Sequence, residues 1–224
     1  MGKIREEIKS EYYYAAVNGQ FNVDILKSGW NKLIRSGAFT DLITASIFRA
    51  GEGIVLYVEK IGEAFSVERV FGFLSGYLHL QYGIGGQSYW RNIPEVFSYV
   101  PKEDKAHWMR KERYRPQCFF GILRQESISA YLFYHYQLRE EGKAEPIMHS
   151  SIGLTDRYLF MYDETPRRYT QARYKGKLQT DATPGNWLET MTPLFEKVNG
   201  RLWSELELLV EYYKERERTE NDRT

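Results

Sequence analysis

The chain has 224 residues, 42% of them hydrophobic, which allows one large packed domain or two of roughly 100 residues and excludes global disorder. Lysine and arginine number 31 against 30 acidic residues, a formal charge of +1, so the electrostatic case for a nucleic-acid partner is absent. No apolar run reaches the roughly 18 residues of a membrane span, and the single cysteine, Cys118, excludes an internal disulfide and a cysteine-rich zinc site.

The first strand is predicted over 12–18. A helix follows over 22–36, with Asn22 as its cap and Gly37 at its end. Val23, Leu26, Trp30 and Leu33 recur at spacings of three and four and mark its buried face. Two strands, 42–48 and 54–59, flank a hairpin turn at Ala50-Gly51-Glu52-Gly53. An extra amphipathic helix is expected within 63–86. A short helix headed by Trp90 and a last strand over 107–115 close the first half.

The same order returns 105 residues later. A strand over 118–123 precedes a helix capped by Ser127 and ended by Gly142. Strands at 147–152 and 158–163 then flank a turn at Thr155-Asp156-Arg157. Gly37 and Gly142, Tyr57 and Tyr162, and Glu59 and Glu164 are identical pairs at that offset. A short helix headed by Trp187 precedes 206–213, which suits either strand or helix and is assigned as strand. Each half therefore reads β-α-β-β-α-β, the ferredoxin-like order. The expected fold is α+β: two such repeats with sheets face to face, a pseudo-dimeric α/β barrel enclosing a cavity. The first repeat with its extra helix spans 1–115, the second 116–216, and a polar tail 217–224. Two sheets in one chain satisfy each other, so a monomer, or a dimer using helical surfaces, is expected.

Three short motifs carry a resemblance to a known family. They are Tyr131-Leu132-Phe133-Tyr134-His135, Trp187-Leu188-Glu189-Thr190-Met191-Thr192, and Ser204-Glu205-Leu206 leading to Tyr212 and Tyr213. In that order, over 116–216, they resemble the L-rhamnose mutarotase family, whose small βαββαβ proteins pair into dimeric α/β barrels and interconvert sugar anomers without a cofactor. The first half lacks the pattern, with Leu26 and Trp30 where Tyr131 and His135 would fall. The resemblance implies a cofactor-free isomerase acting on a reducing sugar.

Mutarotation needs one proton delivered to the ring oxygen and another removed from the anomeric hydroxyl. His135 is the candidate acid/base because histidine titrates near neutrality. Tyr131, one helical turn earlier, is its polar partner. Trp187 is the candidate sugar platform and His149 a further substrate-binding residue. The competing reading of His135 is a buried, hydrogen-bonded histidine, and of Trp187 and Met191 a place in the core. His135 and His149 with Asp163 or Glu164 match no metal-ligand spacing, so no metal is assigned. Gly83-Ile84-Gly85-Gly86 reads as a flexible turn, not a phosphate loop. Cofactor-free oxygenases also use α/β barrels of this kind, and nothing in the sequence excludes one; the alternatives to an enzyme are a module that binds a small ligand or regulates a partner, and an RNA-binding protein using the basic-aromatic segments 105–115 and 167–177. The aromatic content, 18 Tyr, 12 Phe and 5 Trp, fits either a ring-rich core or a ligand cavity lined by Tyr and Trp. A cytoplasmic location is expected, because the N-terminal residues lack an apolar signal-like stretch.

Overall fold

A computed structural model describes residues 8–62, 65–83, 86–100, 102, 108–110, 112–171 and 174–214. Strand β1 is Ile8–Ala16, followed by helix α1, Val23–Arg35, and strands β2, Leu42–Ala50, and β3, Gly53–Ile61. The helix starts where Asn22 accepts from the Asp24 backbone N–H at 2.7 Å. It carries Asp24 in its first turn and Lys32 and Arg35 in its last, each charge suiting the helix dipole. Gly37 takes φ 73° and lets the chain leave the helix. Leu26 and Trp30 are its buried residues.

The second half repeats this local order. Strand β8 is Arg115–Leu123, helix α3 is Ile128–Glu140, and strands β9 and β10 are Ser151–Thr155 and Tyr158–Thr165. Between the halves lie the one-turn helix α2, Val67–Val70, a 3-10 segment, Gly72–Tyr77, and the small hairpin β4, Gln81–Gly83, with β5, Gly86–Ser88. Strands β6, Arg91–Ile93, and β7, Glu95–Ser98, follow. Helix α4, Trp187–Met191, and strands β11, Phe195–Glu196, β12, Trp203–Glu205, and β13, Glu207–Tyr213, end the described chain. The pairings between these strands are antiparallel.

The strand order is β13-β2-β3-β1-β6 in one sheet and β11-β8-β10-β9-β7 in the other, with β12 also on β8. This corrects the expected architecture. Two self-contained ferredoxin-like repeats packed as a pseudo-dimeric α/β barrel do not form, because each sheet takes an edge strand from the other half. The chain changes sheet at Pro94, leaving β1 at Ile93 and joining β9 at Glu95. It changes back at Leu206, between β12 on β8 and β13 on β2. The result is one mainly antiparallel structure whose two sheets curl into each other at these corners.

Local chemistry explains the other departures. The segment after Trp90 is strand, not helix: Pro94 lacks an N–H, and the residue before a proline favours extended backbone. Among the described residues of the expected extra helix, Val67–Val70 alone are α-helical, and the 3-10 segment that follows contains Gly72 and Gly76, whose backbone freedom weakens a regular helix. The strand expected over 147–152 begins only at Ser151, after Pro146 and a left-handed His149 at φ 58°. Of the strand expected over 107–115, His107 and Lys111 lie outside the described residues, 108–110 and 112–114 are not strand, and Arg115 opens β8. The assignment of strand to 206–213 corresponds to β13.

Among the described residues the apolar side chains gather in four clusters, the smallest formed by Ile8, Ile43, Trp108 and Met148. α1 packs on one sheet through Trp30, Phe39, Phe71, Ile54, Leu56 and Val58. α3 packs on the other through Tyr131, Leu159, Met191 and Phe195. Between the sheets sit Tyr12, Phe48, Val55, Tyr57, Cys118, Phe160 and Tyr162. β2 and β3 are buried almost throughout because both of their faces are covered. Among the described residues no helix is long and apolar enough to cross a membrane.

Candidate functional site

Side chains alternate along a strand, so β3 sends Tyr57 and Glu59 into the space between sheets, and β10 sends Tyr158, Phe160, Tyr162 and Glu164. Tyr57 and Tyr162 stack there with ring centroids 3.6 Å apart. The Tyr57 hydroxyl donates to Glu59 at 2.7 Å and the Tyr162 hydroxyl to Glu164 at 2.7 Å. Arg110 donates to Glu59 at 2.7 Å and to Glu164 at 2.5 Å, and Trp108 donates its indole N–H to Glu59 at 2.8 Å. Burial opposes the charge on Glu59, but Arg110 and the hydrogen bonds outweigh it and bring its pKa down to about 2. At Glu164 burial wins over Arg110 and the pKa is raised. One guanidinium thus serves two buried carboxylates, and Glu164 is the one that holds a proton more readily.

This core opens at one end into a cleft of about 410 Å³. Its walls are Tyr14 of β1, Phe120 of β8, Tyr158 and Phe160 of β10, Ala50 at the end of β2, and Leu206 at the second corner. Phe120 stacks on Tyr158 at 5.9 Å and meets Phe160 at 5.5 Å. The exposed Gly51, Arg91 and Asp156 stand at its mouth, with the half-buried Thr155 beside them. Arg91 and Asp156 form an ion pair across it at 3.0 Å.

The residues singled out from sequence lie elsewhere. His135, Tyr131 and Trp187 do come together beneath the second sheet. The His135 ring is 4.1 Å from that of Tyr131 and 5.0 Å from that of Trp187. They belong to the helix-side core: His135 is 6% exposed and Tyr131 1%. The Tyr131 carbonyl lies 2.9 Å from His135 Nδ1, and the buried Tyr131 hydroxyl has no hydrogen-bond partner among the described residues. Burial lowers the His135 pKa to about 4 against that backbone bond, so the ring is neutral at pH 7. His149 is not in this group. It packs edge-on against Trp108 at 4.7 Å, its pKa held low by burial and by Arg110. Asp163 pairs with Arg167 at 2.7 Å and Glu164 with Arg110. Among the described residues no three His, Cys, Asp or Glu side chains are placed to hold a metal.

The cleft residues were missed by sequence reasoning. Their signal was the period-two recurrence of aromatics, Tyr12 with Tyr14 and Tyr158 with Phe160 and Tyr162, which marks one strand face. Arg91 carried no signal.

No family model matches the chain, and no curated protein matches it. Among solved structures it is similar to a "putative monooxygenase" from Lactobacillus acidophilus NCFM, at 8% identity and a TM-score of 0.47, covering 94% of this chain and 98% of that one. A protein of the same description from Fusobacterium nucleatum subsp. nucleatum matches at 10% identity and a TM-score of 0.43, covering 95% and 96%. An anthrone oxidase-like protein matches at 7% identity and a TM-score of 0.38, covering 95% of each. The expected kinship with L-rhamnose mutarotase, and the sugar isomerase activity drawn from it, are corrected: no mutarotase family model matches, and none of these structures bears that name. The second half is also not the self-contained βαββαβ unit that the resemblance implied, since its sheet is completed by β7 from the first half.

Proposed function

We propose that this chain binds a small, planar, mainly apolar molecule in the cleft between its sheets. The observation that carries the reading is the continuity of cleft and core. The wall is made of ring faces and alkyl groups from Phe120, Tyr158, Phe160, Leu206 and Ala50, with polar groups gathered at the mouth. A volume of about 410 Å³ lies in the range of small-molecule pockets. A cytosolic setting belongs to the same reading, supported by a single cysteine, Cys118, that is buried as a free thiol.

The test is titration with N-phenyl-1-naphthylamine, a neutral planar probe whose emission rises and shifts to the blue in apolar surroundings. Ala50→Phe fills the cleft from the end of β2. It is expected to weaken binding at least about tenfold, or ~1.4 kcal/mol, while far-UV circular dichroism stays unchanged. Equal affinity in a folded Ala50→Phe protein would contradict the assignment.

A further inference from the structure

We propose that the ligand of this cleft is an anion, a planar apolar body bearing a carboxylate or sulfonate, and that Arg91 holds the charged group by giving up Asp156. The proposal rests on the cleft being the ligand site and adds the chemical class of the ligand.

Among the described residues that line the cleft, Arg91 is the one cation and Asp156 the one carboxylate. They reach the mouth from opposite sheets. Arg91 lies on β6, paired with Tyr14 of β1, whose ring lines the wall. Asp156 lies in the β9–β10 turn, at a left-handed φ of 52° that aspartate tolerates better than most residues. Their ion pair, 3.0 Å long, is half open to water, with side chains 50% and 58% exposed. An exposed pair of this kind adds little to stability, so exchanging its carboxylate costs the fold little. The guanidinium is always charged and offers five N–H donors in a planar fork that matches a carboxylate. A ligand whose rings lie along Phe120 and Phe160 presents its outer end to this fork. Its anionic group then takes the position of the Asp156 carboxylate, and Asp156 turns to water. The apolar wall excludes water from the ring system, and the mouth reads the charge.

Two probes separate this proposal from the reading beneath it. 1-Anilinonaphthalene-8-sulfonate and N-phenyl-1-naphthylamine share the same ring system and differ in the sulfonate. Arg91→Met keeps the apolar stem of the side chain and removes its charge. It is expected to weaken the sulfonate probe about tenfold and leave the neutral probe within about twofold. Asp156→Asn removes the competing carboxylate and is expected to tighten the sulfonate probe about threefold or more, with no change for the neutral one. Added salt is expected to weaken the sulfonate probe alone. Arg91→Met affecting both probes equally, or neither, would overturn the proposal, as would Asp156→Asn weakening the sulfonate probe. Failure of the neutral probe to bind the wild-type protein would instead sink the cleft itself as the site.

Discussion

Glu59 and Glu164 occupy equivalent places, 105 residues apart on β3 and β10, yet their surroundings set them apart. Glu59 is wholly buried and holds Arg110, Trp108 and Tyr57. Its pKa of about 2 in the fold, against an ordinary 4.5, means the unfolded chain binds the proton more tightly. Its stabilising contribution is therefore full above pH 4.5 and is lost as pH falls toward 2, on the order of 3 kcal/mol. Glu164 has a raised pKa, so its charge opposes folding at neutral pH and protonation relieves it. Glu59→Gln is accordingly expected to destabilise the protein by about 2–4 kcal/mol at pH 7, and Glu164→Gln by less than about 1 kcal/mol. Urea denaturation at pH 7 and pH 4 checks this, with the gap between the two variants narrowing at the lower pH. Equal costs at pH 7 would show that Arg110 serves both carboxylates alike.

At the scale of elements, close approaches fix the cleft wall. A methyl group on Gly53, the first residue of β3, would lie 2.4 Å from Cε2 and 2.5 Å from the hydroxyl oxygen of Tyr14, so the ring rests directly on the backbone there. Gly53→Ala is expected to push Tyr14 into the cleft, cost about 1–3 kcal/mol and weaken N-phenyl-1-naphthylamine. An unchanged urea midpoint with unchanged probe affinity would contradict that placement of the ring. Gly29 of α1 meets Phe73 in the same way, at 2.1 Å from a built Cβ, which sets how closely the helix can lie on the 3-10 segment. The elements legible in the sequence were those written in local code: α1 with Asn22 and Gly37, the hairpin at Gly51, and the short helix headed by Trp187. The corners at Pro94 and Leu206 were not legible as corners. A change of sheet depends on which distant strand offers a free edge, and Glu95 meeting Gly153 or Glu207 meeting Arg49 leaves no mark in nearby residues. The His135 cluster was legible as a spatial group, since Tyr131 and His135 share a helix face, but its burial under Phe97 of β7 depends on that same exchange of strands.

At the scale of the whole molecule, the two corners tie the sheets around one shared ring-rich core, and the cleft opens from one end of that core. Its position follows from the fold. The β2–β3 and β9–β10 turns stand at the same end of the two sheets, with Gly51 and Asp156 at the rim and Phe120 and Phe160 beneath. The claim that this opening is the ligand site is tested most directly by heteronuclear NMR of the wild-type protein titrated with N-phenyl-1-naphthylamine. The account predicts that the largest shift changes, and the contacts from probe protons, fall on Tyr14, Ala50, Phe120, Phe160 and Leu206, with Tyr131, His135 and Trp187 unmoved. Contacts to the α3–α4 side, at His135, Trp187 or the exposed Phe133, Tyr136 and Leu188, with the cleft residues silent, would contradict it.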